Sequence, residues 1–170
     1  MLANKKVAVL AGVAALAFAG LMAPVSQAND APGPGDAQPF RALNNGQSQR
    51  LDSNHLDEYQ PYAIAWEPNN VTSAQVWEAV PVGDGFQIKA DSGECLQATG
   101  AKLGSRLAKK QCNQDNEFQL WQFEESGDIA FIRPEWSTNL RLEAPRQNAP
   151  LELRQRSSNN MNQQWIISRL

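Results

Sequence analysis

Three Gln-x-Trp triplets at equal spacing are the feature of this sequence that most constrains its fold. Successive triplets are 44 residues apart, and an apolar, strand-like tail follows each of them. The residues concerned are Gln75 and Trp77, Gln119 and Trp121, and Gln163 and Trp165. One triplet carries little information, but three copies that recur at a fixed period from Pro39 onward predict a fold of three equivalent units.

The positions between the triplets predict a nearly all-β chain. The same 44-residue offset aligns short runs of branched and aromatic residues, and it pairs Leu96 with Leu140 and Leu107 with Leu151. Gly, Asn, Ser and Asp bound these runs, as is typical of strands and turns. After residue 38 no apolar stripe of helical period extends beyond about two turns. Three units of about four short strands favour a closed threefold structure, because closure removes exposed strand edges.

The first 28 residues predict a secretory signal peptide. Two lysines precede an apolar run at residues 7–22, and the small residues Ser26 and Ala28 follow it. We expect cleavage after Ala28, and the apolar run is shorter than the ~20 residues of a membrane-spanning helix. The next segment, residues 29–38, is rich in glycine and proline and predicts a flexible leader. A single domain is then expected over residues 39–170.

The mature protein that we expect after export to the periplasm or the extracellular space is weakly acidic. Removing residues 1–28 takes away two of the 15 basic residues and none of the 18 acidic ones, which leaves 13 against 18 and a formal charge of −5. Such a charge suits neither nucleic acid nor an anionic membrane, so we expect no nucleic-acid binding and no stable membrane insertion. Cys95 and Cys112 are an even pair in an oxidising compartment, and they predict one disulfide.

The sequence shows no pattern of a catalytic or metal site, and we expect neither an enzyme nor a cofactor. It contains no phosphate-loop, metal-binding or nucleophile-elbow motif. His55 is the single histidine, and no nucleophile signature lies near it. Two cysteines and one histidine are too few for a zinc site. Glu124 and Glu125 are adjacent, and adjacent carboxylates on a strand point to opposite faces, so they do not flank one bond.

The triplets resemble those of the ricin B-chain lectin family, whose fold is the β-trefoil. The resemblance covers residues 39–170, and it implies that the three triplet tryptophans pack into a shared core. It also implies that each triplet glutamine helps to fix a loop. In that family a cysteine pair within one repeat often closes the loop that frames a sugar pocket. Cys95 and Cys112 occupy the matching places in the second repeat.

The same resemblance implies where a sugar would bind. The family's pocket has an acid just after the first cysteine position, an aromatic two residues before the second, and an amide before the triplet glutamine. An aromatic face stacks on a pyranose ring, and fixed polar groups take its hydroxyls. The second repeat has Gln97, Lys110 and Phe118 at these positions, and the offset gives the third repeat Arg141, Arg154 and Asn162. We therefore expect no sugar site of the family type in the second and third repeats.

The first repeat combines an acid with an aromatic. Trp66 holds the aromatic position, and Asp52 reaches the acid position if the register is shifted by one residue. Ala74 holds the amide position, but Asn69 and Asn70 lie nearby. The candidate carbohydrate site therefore comprises Asp52, Trp66, Asn69, Asn70 and Gln75. The alternative is structural: Trp66 packs under its own loop and Asp52 caps a turn.

A narrower resemblance is to the cell-binding A and C subunits of cytolethal distending toxins. Residues 74–78, 85–89 and 94–96 carry it, together with the opening stretch 39–43. Those subunits are secreted trefoils that flank a nuclease subunit and carry it to host cells. The lack of a cysteine near the cleavage site fits the C subunit better than the A subunit. The three regular triplets depart from what we expect of either.

These resemblances imply a secreted delivery subunit that binds host glycans, a catalytic toxin subunit and a second trefoil subunit. Two alternatives stay open, a stand-alone lectin for host or environmental glycans and a β-trefoil protease inhibitor. Trp136, Tyr59 and Tyr62 lie outside the triplets. They indicate a binding surface if they are exposed and ordinary loop contacts if they are not.

Overall fold

Thirteen short β-strands make up nearly all of the regular structure in the part of the chain described by the computed structural model, residues 37–54 and 59–170. Three short 3-10 turns, each of three residues, precede β4, β8 and β13. The strands are β1 (Gln38–Asn44), β2 (Arg50–Asp52), β3 (Ile64–Trp66), β4 (Trp77–Val82), β5 (Gly85–Ala90), β6 (Glu94–Ala98), β7 (Leu107–Gln111), β8 (Trp121–Ser126), β9 (Ile129–Pro134), β10 (Leu140–Glu143), β11 (Ala149–Pro150), β12 (Glu152–Gln155) and β13 (Trp165–Arg169). The all-β expectation is confirmed. The first strand begins one residue before the expected start of the domain at Pro39.

Six of these strands close into a barrel. Antiparallel pairing runs around the ring from β1 to β4, β5, β8, β9 and β13, and β13 pairs with β1 again. Each triplet tryptophan starts a barrel strand. It pairs with a residue near the start of the first strand of a repeat, at an equivalent position in all three repeats. The three register pairs are Phe40 with Trp77, Phe86 with Trp121 and Ala130 with Trp165. This ring has no free edge, which is the closure that the three repeats predict.

Three further strand pairs, one in each repeat, adjoin the barrel and meet at a threefold centre. They are β2 with β3, β6 with β7 and β10 with β12. Three backbone hydrogen bonds join them in a cycle, in which Ala63 N–H donates to the Leu107 carbonyl (2.9 Å), Leu107 N–H to Leu151 (3.1 Å) and Leu151 N–H to Ala63 (3.0 Å). A buried backbone group needs a partner, and here each repeat supplies one to the next. The fold is a β-trefoil.

The triplet tryptophans form the centre of the core. Trp77 is 1% exposed, and Trp121 and Trp165 are fully buried. Each indole Nε1 donates to a backbone carbonyl of the second strand of its repeat: Leu51 at 3.0 Å, Leu96 at 3.0 Å and Leu142 at 3.3 Å. A buried tryptophan needs such an acceptor for its N–H. The structural role implied for these residues is confirmed.

One expected alignment is wrong. The third-repeat equivalent of Leu96 is Leu142 and not Leu140, because Leu142 provides the carbonyl that accepts the tryptophan N–H. Two additional residues lie before β10, and the turn after it is two residues shorter. Leu107 and Leu151 therefore return to the 44-residue offset. Compensating length changes in surface loops cost little, and a fixed offset does not detect them.

A disulfide joins Cys95 in β6 to Cys112 just after β7, with Cα atoms 5.0 Å apart. The predicted bridge is thus present, and it closes a loop of the second repeat across a sequence separation of 17 residues. None of the helices within residues 37–54 and 59–170 is long and apolar enough to span a membrane. The expected signal peptide, almost all of the expected leader, and His55 lie outside the described residues.

Candidate functional site

The glutamine of the first triplet holds a loop together from the inside. Gln75 is fully buried. Its Oε1 accepts the backbone N–H of Asn69 at 2.8 Å. Its Nε2 donates to Oδ2 of Asp52 at 3.0 Å and to the carbonyl of Glu67 at 2.7 Å. An amide is suited to this task, because one side chain offers both an acceptor and two donors.

The other two repeats reproduce this arrangement. Gln119 accepts from Asn113 N–H (2.8 Å) and donates to Oε1 of Gln97 (3.0 Å) and the Gln111 carbonyl (2.9 Å). Gln163 accepts from Ser157 N–H (2.9 Å) and donates to Oε2 of Glu143 (2.8 Å) and the Gln155 carbonyl (2.8 Å). The residues that face the triplet glutamines define the acid position of each repeat. They are Asp52, Gln97 and Glu143.

The expectation that Arg141 holds the acid position of the third repeat is therefore wrong. Glu143 holds it, because two additional residues before β10 displace the register. Arg141 is instead 2% exposed and lies over the ring of Phe131, with Cζ 3.5 Å from the ring centroid. Its Nη2 donates to Oε2 of Glu124 at 2.8 Å. For Asp52, in contrast, the expected shift of one residue agrees with the structure.

Asp52 is fully buried, and both of its carboxylate oxygens accept hydrogen bonds within the chain. Oδ1 accepts the backbone N–H of Asn54 at 2.7 Å, and Oδ2 accepts the Gln75 amide. This arrangement matches the turn-capping alternative. Asp52 fixes the first-repeat loop from below, and a ligand on the surface does not reach it without a rearrangement.

Trp66 ends β3 and is partly exposed. It lies opposite Arg50 in the register of β2 and β3. Asn69 and Asn70 follow on an exposed loop, in which Asn69 Oδ1 accepts the N–H of Val71 at 2.8 Å. Asn70 Oδ1 accepts from Arg50 Nη1 at 2.8 Å. The structure thus brings Trp66 and the two asparagines to one side of the first repeat, above the buried pair of Asp52 and Gln75.

The second repeat contains an open polar cavity of about 420 Å³. Amide side chains dominate its walls, and the disulfide borders it. Asn116 Nδ2 donates to Gln97 Oε1 at 3.1 Å, so two amides hold each other at the mouth. The lining residues are Gln97, Gln111, Cys112, Asn113, Asn116 and Gln119. The sequence analysis did not predict this cavity, because it expected a sugar site to contain an acid and an aromatic residue. The five amide side chains among its lining residues are the signal that identifies it.

The third repeat has an acid but offers no aromatic. Glu143 Oε2 accepts from Asn160 Nδ2 (2.9 Å) as well as from the triplet glutamine. Arg154, at the aromatic position, is exposed and pairs with Glu152 at 2.6 Å. Asn162 holds the β1–β2 turn, where its Oδ1 accepts from Gln47 Nε2 at 3.0 Å. The groups of this repeat that would meet a sugar are engaged in the fold itself.

The model of the ricin-type β-trefoil lectin domain matches residues 40–165. The chain belongs to this family. No curated protein sequence matches it.

Solved β-trefoils of this kind superpose on the chain at low sequence identity. The designed threefold-symmetric protein ThreeFoil gives a TM-score of 0.67 at 19% identity, covering 78% of this chain and 99% of that one. The ricin B-like lectin of Macrolepiota procera, solved in complex with lactose, gives 0.67 at 17% identity and covers 82% and 100%. The cytolethal distending toxin of Haemophilus ducreyi gives 0.60 at 16% identity and covers 76% and 82%. These similarities support the fold.

Two of the remaining sequence candidates of this ricin-type trefoil, Trp136 and Tyr62, each contact another side chain. Trp136 packs edge-on against Phe118, with ring centroids 5.6 Å apart. Tyr62 lies under the guanidinium of Arg106, 5.0 Å from ring centroid to Cζ. The described residues contain no group of three or more histidine, cysteine, aspartate or glutamate side chains that could hold a metal.

Proposed function

We propose that this protein is a secreted carbohydrate-binding lectin whose sugar site lies on the first-repeat loop at Trp66. The observation that carries the proposal is the partly exposed Trp66 in the frame that Gln75 and Asp52 hold rigid from below. The equivalent positions of the other repeats hold Lys110 and Arg154, which offer no ring for stacking. An aromatic face beside fixed polar groups is the arrangement that sugar binding requires.

The first-repeat residues divide into two roles in this proposal. Trp66 provides the stacking face, and the exposed Asn69 and Asn70 provide the amides beside it. Asp52 and Gln75 keep the loop in place and do not contact the sugar, because both are fully buried. The lactose complex of the Macrolepiota procera lectin supports a saccharide ligand for this fold. The proposal gives the chain a binding role and no catalytic step.

A glycan array probed with the full chain, its signal peptide processed, tests the proposal. We expect saccharide-specific binding that the free sugar competes away. Trp66→Ala should abolish it while the protein stays folded, and Lys110→Ala, the equivalent position of the second repeat, serves as the matched control. Loss of binding in Gln97→Ala and Asn116→Ala, with Trp66→Ala unaffected, moves the site to the second-repeat cavity. A blank array contradicts the proposal.

We further propose that the lectin is the delivery subunit of a toxin, with a catalytic chain and a second trefoil as partners. The similarity in fold to the cytolethal distending toxin supports this, as do the stretches at residues 74–78 and 85–89. Coexpression with the product of an adjacent nuclease-like gene should yield one complex in size-exclusion chromatography. Glycan binding without a complex favours the stand-alone lectin. Inhibition of a protease without glycan binding favours the trefoil inhibitor.

Secretion is a separate part of the proposal. If the signal peptide is cleaved after Ala28, the mature protein begins at Asn29. Mass spectrometry of the exported protein measures this directly. Retention of the full-length chain in the cytoplasm contradicts it.

A further inference from the structure

Two arginines converge on the loop beside Trp66. Arg41 in β1 and Arg50 in β2 lie on neighbouring antiparallel strands, where Leu43 pairs with Arg50. Arg50 Nη1 donates to Oδ1 of Asn70 at 2.8 Å and to the carbonyl of Asn69 at 3.2 Å. Arg41 Nη2 approaches the carbonyl of Asn70 at 3.5 Å. Both guanidinium groups therefore lie at the same short stretch of loop.

Their positive charges are not neutralised by the described part of the chain. None of its ion pairs includes Arg41 or Arg50. Among the described residues, the two guanidiniums donate hydrogen bonds to neutral amide oxygens of Asn69 and Asn70. Arg133 and Arg141 contrast with them, because each donates to a carboxylate oxygen of Glu124, at 2.9 and 2.8 Å. A carboxylate near Arg41 and Arg50 would balance their charge in the same way as Glu124 does for Arg133 and Arg141. The described structure places none within ion-pair distance.

Two features of the arginine pair favour an anion beside it. Burial, and to a smaller extent the neighbouring charge of Arg41, lower the pKa of Arg50. Arg41 Nε is buried and has no hydrogen-bond partner. A buried polar group without a partner costs stability, and each such group calls for an explanation. An anion between the two guanidiniums would reduce their mutual repulsion, because its negative charge attracts both.

The position of the pair specifies the kind of anion. Arg50 lies opposite Trp66 in the register of β2 and β3, so the two charges border the proposed stacking face. The chain as a whole is acidic, with a formal charge of −3, so it has little general attraction for polyanions. A ligand that carries its negative charge on a sugar fits both observations. Guanidinium groups match carboxylate and sulfate geometry through paired N–H donors.

We propose that Arg41 and Arg50 bind the acidic group of a glycan, a carboxylate or a sulfate ester, while Trp66 stacks on a sugar ring of the same molecule. This inference rests on the proposed lectin function and names its ligand class. The acidic group lies between β1, β2 and the Asn69–Asn70 loop. Binding of the acidic group adds to the ring stacking on Trp66 and leaves the buried loop frame unchanged.

Binding of three matched trisaccharide and disaccharide probes to the full chain tests the inference. The probes are lactose, 3′-sialyllactose and 3′-sulfolactose, which differ in the presence and type of the acidic group. We expect at least one acidic probe to bind about tenfold or more tightly than lactose, because a hydrogen bond to a charged group contributes more than a neutral one. This preference should weaken as NaCl rises from about 50 to about 500 mM.

Variants assign the preference to the arginine pair. Arg50→Gln and Arg41→Gln should each lower the ratio of acidic to neutral affinity by about tenfold. Arg146→Gln is the matched control, since Arg146 is exposed and takes part in no ion pair of the described residues. Arg50→Lys keeps the charge without the planar fork and should lose part of the preference. Thermal unfolding of each variant separates loss of the site from loss of the fold.

The outcomes distinguish this inference from the function on which it rests. Equal binding of lactose and both acidic probes overturns the inference and leaves the lectin function intact. A preference for acidic probes that persists in both folded glutamine variants also overturns it. If no glycan binds at all, the proposed function fails and the inference fails with it. Preference for only one of the acidic probes identifies carboxylate or sulfate as the recognised group.

Discussion

The indole Nε1 of Trp165 donates to the backbone carbonyl of Leu142 at 3.3 Å. Trp77 and Trp121 make the same bond in their own repeats, so this contact identifies equivalent residues independently of sequence spacing. It places Glu143 next to the triplet glutamine of the third repeat. The three repeats therefore share one internal frame, although their surface residues differ.

The buried tryptophans should dominate the stability of the fold. Trp121→Ala removes a fully buried ring and its bond to the Leu96 carbonyl, so we expect a loss of about 3–5 kcal/mol in the free energy of unfolding. Trp66→Ala removes a partly exposed ring and should cost clearly less. Urea denaturation of both variants measures the difference. An unchanged midpoint for the Trp121 variant contradicts the core assignment.

The carboxylates at the acid positions of the first and third repeats should each stabilise the fold by accepting hydrogen bonds from the loop that they face. Asp52→Ala leaves the Gln75 amide and the Asn54 N–H without their acceptor, and we expect a cost of about 1–3 kcal/mol. Glu143→Ala should behave alike, since it removes one hydrogen-bond acceptor from each of two amides, those of Asn160 and Gln163. Asp91→Ala, an exposed acid, is the control. If thermal unfolding shows no difference between Asp52→Ala and the control, Asp52 does not hold the loop.

Glu124 should make stability depend on acid pH. Burial alone raises its pKa, but hydrogen bonds from Arg141 and Arg133 and the charge of Arg156 outweigh it, so that the pKa lies below the ordinary 4.5. A carboxyl whose pKa is depressed in the folded state stabilises the fold above its unfolded pKa, and this stabilisation is lost as pH falls through the folded value. Glu124→Gln should therefore be less stable than the wild type at neutral pH, and the difference should shrink below about pH 4.5.

Denaturant midpoints measured from neutral pH down to acid pH test this dependence. Glu125→Gln is the control, because Glu125 is the adjacent residue of the same strand and has no ion pair within the described residues. A constant difference between Glu124→Gln and the wild type at all pH values contradicts the assigned linkage.

The disulfide should stabilise the fold by restricting the unfolded chain. It closes a loop across 17 residues, for which chain entropy predicts about 3 kcal/mol. The double variant Cys95→Ala/Cys112→Ala should lose about this amount in the free energy of unfolding. Reduction with dithiothreitol should have a similar effect on the wild type and none on the variant. A wild type that is equally stable with and without reductant contradicts this account.

The architecture and its core could be predicted from the sequence. The equal spacing of three Gln-x-Trp triplets indicates three equivalent units, and the resemblance to the ricin-type lectins implies that their tryptophans share one core. The disulfide predicted from the two cysteines is present in the structure. These properties follow from residue type and period, which a single sequence displays directly.

The surface of the repeats could not be predicted in the same way. Two additional residues before β10 and a turn two residues shorter after it leave the triplet spacing unchanged, so the offset assigned Arg141 to a position that Glu143 occupies. The burial of Asp52 and the convergence of Arg41 and Arg50 on Asn70 depend on where β1, β2 and a distant loop meet. The sequence by itself determined three equivalent units of short strands, because a fixed period is visible in a single sequence, and its resemblance to the ricin-type lectins implied the β-trefoil and the tryptophan core. Only the tertiary structure decided which polar side chains are hydrogen-bonded inside each loop and which are left to bind a ligand. The reason is that hydrogen bonds and ion pairs depend on contacts between residues far apart in the chain.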